Sequence, residues 1–187
     1  HLRASVDLKI IVGNNLIHKL DEFIRKYYKN QLIKGVIYSF TAVLLFFISI
    51  ILLEYFGNFS SGTRQVLFYS FIGISLAIVV NYIAIPLFKL NKLGKVINYE
   101  TAANIIGEHF ANVKDKLLNT LQLISVSENS GAQNELLVAS INQKITELNP
   151  VPFSSAIDIK GNKKYLKYAI IPVLLFLFLF LINANII

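Results

Sequence analysis

Three histidines, His1, His18 and His109, are the side chains best suited to acid–base or metal chemistry at neutral pH, and their placement offers neither. No two of them stand three or four residues apart, the spacing that would put two ligands on one helix face. Glu108 precedes His109, but adjacent helix positions point in different directions. The chain has no cysteine, which removes disulfides, thiolate metal sites and thiol nucleophiles. It has no Walker loop and no GxGxxG fingerprint, and Gly161 lies in no such context. These residues predict no catalytic centre, no cofactor and no metal site, and so a protein that is not an enzyme.

Two other groups of polar residues are placed where polarity matters. Lys160, Lys163, Lys164 and Lys167 precede a long apolar run, at spacings that stack on one face if a helix starts before that run. Ammonium groups there can meet anionic lipid headgroups, each worth about 1 kcal/mol near a charged surface. Asn81 lies inside another apolar run, where its carboxamide must find a partner, such as a neighbouring helix. No charged residue lies in the middle of any such run, so a proton or ion relay has no carrier.

The elements that hold these residues follow from the distribution of apolar residues. Of the 187 residues, 55% are hydrophobic and 16% charged, with mean hydropathy +0.57. Soluble domains hold roughly 45–50% apolar and about 25% charged residues. The excess is concentrated in three charge-free runs of 19, 24 and 20 residues, at 35–53, 65–88 and 168–187. A helix rising about 1.5 Å per residue crosses a hydrocarbon core of roughly 30 Å in about 20 residues. The expected architecture is all-α: an integral membrane protein with three transmembrane helices, the first two (about 35–55 and 66–88) paired as a hairpin over residues 35–88. The connection FGNFSSGT at 56–63 is a turn sequence.

Lysine and arginine set the orientation. Arg3, Lys9, Lys19, Arg25, Lys26, Lys29 and Lys34 precede the first run, and Lys89, Lys92, Lys95 and the four-lysine group flank the other two. Only Arg64 lies between runs one and two. With three spans every basic cluster falls on one side, which the positive-inside rule makes the cytosol. The expected location is the inner (plasma) membrane, with the N-terminus and the segment 89–167 cytosolic and the C-terminus outside. Tyr38, Tyr55, Phe56, Phe68, Tyr69, Phe88, Tyr165 and Tyr168 fall where interfacial aromatic belts form. The net charge of +7 hugs the membrane edges, and no aromatic–basic nucleic-acid motif accompanies it, so nucleic acid is not an expected partner.

The polar segments carry helical periodicity. Residues 1–34 hold a stripe of Leu16, Leu20, Phe23, Ile24 and Tyr27, with Asn14 or Asn15 as the expected cap. In 89–167, one stripe runs Ile106, Phe110, Val113, Leu117, Leu121 and Ile124, and a second runs Leu137, Ile141, Ile145 and Leu148. A polar break at 128–133 separates them, predicting a cytosolic amphipathic α-hairpin, with 151–162 as an extended, proline-containing linker. The third span, 168–187, stops at Ile187 without a polar anchor, and the chain starts at His1 rather than Met, which together suggest a piece of a longer protein.

The segments YETAANIIGEHF (99–110) and VKDKLLNTLQL (113–123) resemble the N-terminal part of a family of large bacterial membrane proteins of unknown function. In that family a two-helix membrane hairpin precedes a cytosolic helical segment of this alanine-pair, lysine–leucine–leucine–asparagine character. A third span then leads to a long, helix-rich extracytoplasmic region, and the order of elements is similar across all 187 residues. The resemblance implies a membrane anchor or scaffold whose partners are lipids. The alternative is a subunit of a transport or envelope-export assembly, packing on other membrane subunits or on its own copies.

Overall fold

The computed structural model describes residues 2–91, 96–130 and 135–182. Every regular element among them is helical. In order they are α1 (Leu2–Gly57), α2 (Ser61–Val79), a π-helical turn (Val80–Ala84), α3 (Ile85–Leu90), α4 (Tyr99–His109), α5 (Lys114–Ser130), α6 (Glu135–Leu148), 3-10 turns at Phe153–Ala156 and Lys160–Asn162, and α7 (Lys163–Ile182). Three helical stretches, Asn15–Gly57, Ser61–Leu90 and Phe153–Leu181, are long and apolar enough to cross a membrane. Lys92, Lys95, Asn183 and Asn185, the polar break at 131–134 and the end of the third span lie outside the described residues.

The chain forms two compact units, residues 1–27 with 95–157, and residues 28–94 with 158–187; α1 contributes to both. It runs 56 residues without interruption, and no proline falls inside it. The cap expected at Asn14 or Asn15 is therefore absent, since both lie inside a continuous helix.

In the first unit, the N-terminal part of α1 carries the buried side chains Leu16, Leu20, Phe23 and Ile24. Polar ties fix it to the later chain. Tyr99 donates its hydroxyl to Asp21 Oδ1 (3.3 Å), Lys26 Nζ donates to the Ser154 carbonyl (2.6 Å), and Lys19 Nζ donates to the Asn149 carbonyl. Lys19 also lies 5.7 Å from the centroid of the buried Phe153 ring. The expected linker at 151–162 is thus partly core: Phe153 and Ile157 are buried around a 3-10 turn.

The first stripe of the middle segment does not lie on one helix. Asn98 caps α4, its Oδ1 accepting the Thr101 N–H at 2.8 Å, and α4 ends at His109 with Phe110 at φ −120°. The chain turns at 110–113 and restarts as α5. A Cβ on Gly107 would lie 2.5 Å from the Lys114 Cβ, so the corner closes on a residue without a side chain. Ala102, Ala103 and Ile106 on α4 and Val113, Leu117 and Thr120 at α5 are buried, whereas Phe110 and Leu121 are only half-buried. Helices α5 and α6 pack on each other, with Lys116 of α5 paired to Glu147 of α6 at 3.3 Å. Ile141, Ile145 and Leu148 of α6 are buried, and Leu137 is half-buried.

In the second unit α1 touches both other spans. Phe47 lies 5.7 Å from Phe71 of α2 and 6.3 Å from Phe176 of α7, and Phe46 also meets Phe71 at 5.7 Å. No side chain of α2 is buried, and its Val66, Phe68, Tyr69, Ile72, Ile74 and Leu76 are exposed. An exposed apolar surface this continuous suits a hydrocarbon surrounding rather than water.

The turn between α1 and α2 is built from its sequence. Asn58 takes the left-handed conformation (φ 42°) and returns its N–H to the Glu54 carbonyl, a C-terminal cap. A Cβ on Gly57 would lie 2.5 Å from the Phe59 ring, and Arg64 Nε pairs with Glu54 Oε1 at 3.0 Å across the turn.

Candidate membrane-interface site

The lysines of the second unit gather at the end of its helices opposite the Glu54–Arg64 turn. Residues 34 and 54 of α1 are separated by about 30 Å of helix, roughly the hydrocarbon thickness. Lys34 stands at the lysine-bearing end, one residue before the apolar run begins.

Tyr165, near the start of α7, organises this end. Its ring meets Tyr38 of α1 edge-on, centroids 5.3 Å apart at 63°. Lys34 Nζ lies 5.5 Å from the Tyr165 centroid and Lys164 Nζ 5.1 Å, so one ring receives two ammonium groups from two helices. Lys89, at the end of α3, lies 5.9 Å from the centroid of the buried Tyr28 ring on α1. Among the described residues no carboxylate pairs with Lys34, Lys89, Lys160, Lys163, Lys164 or Lys167. Asp158 is the acidic residue closest in sequence to the last four, and its Oδ1 accepts the Gly161 N–H (3.0 Å).

Beneath the lysines a buried amide pair ties α1 to the entry of α7. Asn162 Nδ2 donates to Asn30 Oδ1 at 2.6 Å, and both side chains are buried. Asn162 Oδ1 has no hydrogen-bond partner among the described residues.

All four lysines expected at the headgroup level are exposed, but they do not share one helix face. Lys160 belongs to a 3-10 turn and α7 starts at Lys163, because the turn at 160–162 is held by the Asp158–Gly161 bond. Asn81 lies in the π-helical turn with its side chain exposed, and its Nδ2 donates to the Ala77 carbonyl of its own helix (3.1 Å). Among the described residues it bonds no neighbouring helix. Sequence reasoning missed Lys34 and Lys89 as partners of aromatic rings and Asn30–Asn162 as a buried pair. The available signal was a lysine one residue before each of two tyrosine- or glycine-marked span entries, Lys34 and Lys164.

No grouping of three or more histidine, aspartate or glutamate side chains stands together among the described residues. His18 contacts Glu22 at 3.5 Å on an exposed face, and His109 packs edge-on against Phe110. Compared with protein-family models, curated proteins and solved structures, the chain matches none.

Proposed function

We propose that this chain is the membrane-anchoring, scaffolding segment of a larger bacterial inner-membrane protein and carries out no catalysis of its own. The observation that supports this reading best is the charge asymmetry of the spans. Lys34, Lys89, Lys160, Lys163, Lys164 and Lys167, without carboxylate partners among the described residues, collect at one end, whereas Arg64 at the start of α2 is offset by Glu54. Under the positive-inside rule the lysine end faces the cytosol. The first helical unit, continuous with α1, is then cytosolic and α7 leads outward. The larger extracytoplasmic part rests on the family resemblance of residues 99–123. Reporter fusions test the orientation: a fusion at Ser127 is active only in the cytosol and one after Ile187 only outside it.

A second reading, a subunit of a transport or envelope-export assembly, draws on Asn81. A carboxamide exposed on a membrane-crossing helix is costly in lipid and is better placed against another polypeptide. Crosslinking from position 81 in native membranes separates the two. Lipid adducts alone favour the anchor, and adducts with another membrane protein favour the assembly.

A further inference from the structure

We propose that Lys34, Lys164 and Tyr165 form a specific clamp for the phosphate of one anionic glycerophospholipid, distinct from the general attraction of a lysine collar. The proposal rests on the orientation given under Proposed function, since it places this end of the helices at a headgroup layer.

Two like charges are brought to a single ring, 5.5 Å and 5.1 Å from its centre, by side chains from α1 and α7. The ring's negative face attracts each ammonium, but it does not cancel their mutual repulsion. A shared anion does, and none is supplied by the described residues: neither lysine has a carboxylate partner. A phosphodiester carries its charge over two oxygens, one for each of the ammonium groups that meet the Tyr165 ring. Lys34 is half-buried, which limits its hydration and favours a bound anion over water, while Lys164 stays open to an approaching headgroup.

The surroundings suit a lipid rather than a free ion. Within two turns of the clamp along each helix the surface becomes apolar and exposed: Val36 and Phe40 on α1, Tyr168 and Ile171 on α7. A headgroup held at the lysines can therefore lay its acyl chains along these residues. Tyr165 is itself fixed by the edge-on contact with Tyr38, so the two lysines converge on a positioned ring.

The test uses the full chain reconstituted in phosphatidylcholine vesicles with a minor fraction of phosphatidylglycerol, then extracted mildly and examined by native mass spectrometry for retained phosphatidylglycerol. Lys34→Gln and Lys164→Gln should each lower retention by about fivefold, the loss expected for one basic headgroup contact. The double variant should lose little more than either alone, because one phosphate is shared. Lys34→Arg and Lys164→Arg should retain the lipid, showing that charge and ring contact are what matter and that the fold tolerates change there. The control Lys160→Gln/Lys163→Gln removes as much charge as the double variant and should lower retention clearly less than either single clamp variant. Equal losses in the control, or additive losses in the double variant, would overturn the clamp in favour of a diffuse collar. Displacement of the lipid by millimolar inorganic phosphate would also overturn it, by showing a free-anion site. Reporter fusions at Ser127 in the same variants report orientation separately: an exported fusion contradicts the anchor reading, whereas a cytosolic fusion with unaltered lipid retention contradicts only the clamp.

Discussion

The backbone of Gly35 lies against the carbonyl of Tyr82 so closely that a Cβ at position 35 would collide with the carbonyl oxygen. Pro86 accounts for the local geometry of the second span. In α-helical register the Tyr82 carbonyl would receive the N–H of residue 86, which proline does not have. The helix widens there into a π turn over Val80–Ala84, closed by the Ile85 N–H on the Val80 carbonyl. The first span meets this turn with a glycine, and that is how two antiparallel helices approach so closely at the lysine-bearing end.

Gly35→Ala should therefore destabilise the helical pair by about 1–3 kcal/mol, the usual cost of overpacking. Gly73→Ala, where a Cβ meets nothing within 4 Å, should be neutral or slightly stabilising. Reversible unfolding of the full chain in mixed micelles distinguishes them. Equal behaviour of the two variants would show that the spans do not meet at Gly35.

Leu117 is fully buried on α5, which packs on α4 and α6, so Leu117→Asp should cost several kcal/mol by placing a carboxylate among apolar side chains. Leu136→Asp, at a position 80% exposed, should be tolerated. Limited proteolysis of the full chain gives the readout: rapid cleavage within residues 95–157 for the first variant and wild-type resistance for the second.

Much of this unit was legible, and the limits are physical. The three spans were readable because about 20 apolar residues without charge have few other uses. The stripe Leu16, Leu20, Phe23 and Ile24 was equally readable as a helix face, but periodicity says nothing about which distant segment covers it. Phe153 and Ile157 are also buried, in a stretch that reads as a linker because Pro150 and Pro152 precede it. The corner at 110–113 was hidden because the apolar spacing of Ile106, Val113 and Leu117 continues across it. The marks that betray it, Gly107 and the half-buried Phe110, gain meaning only beside Lys114.

Asn98→Ala should cost about 1 kcal/mol, since it removes the acceptor for the Thr101 N–H at the start of α4. Asn98→Asp should keep the cap. Thermal melts of the two variants followed by circular dichroism check this, and the absence of any difference between them would mean that the cap contributes nothing.

The buried pair Asn30–Asn162 should behave as a unit. Replacing Asn162 alone by Leu strands the Asn30 carboxamide and should cost about 1–3 kcal/mol. Replacing both by Leu should recover part of that loss. A double-mutant cycle measured by unfolding in micelles reads the coupling, and strict additivity would show that the two amides do not interact.

Orientation is the claim on which the functional account turns, and paired reporter fusions test it most directly. A phosphatase reporter, active only outside the cytosol, and a fluorescent reporter, active only inside it, are each placed at Ser127 and after Ile187. The lysine-bearing end at the cytosolic face predicts fluorescence without phosphatase activity at Ser127 and phosphatase activity without fluorescence after Ile187. Phosphatase activity at Ser127 would contradict the account.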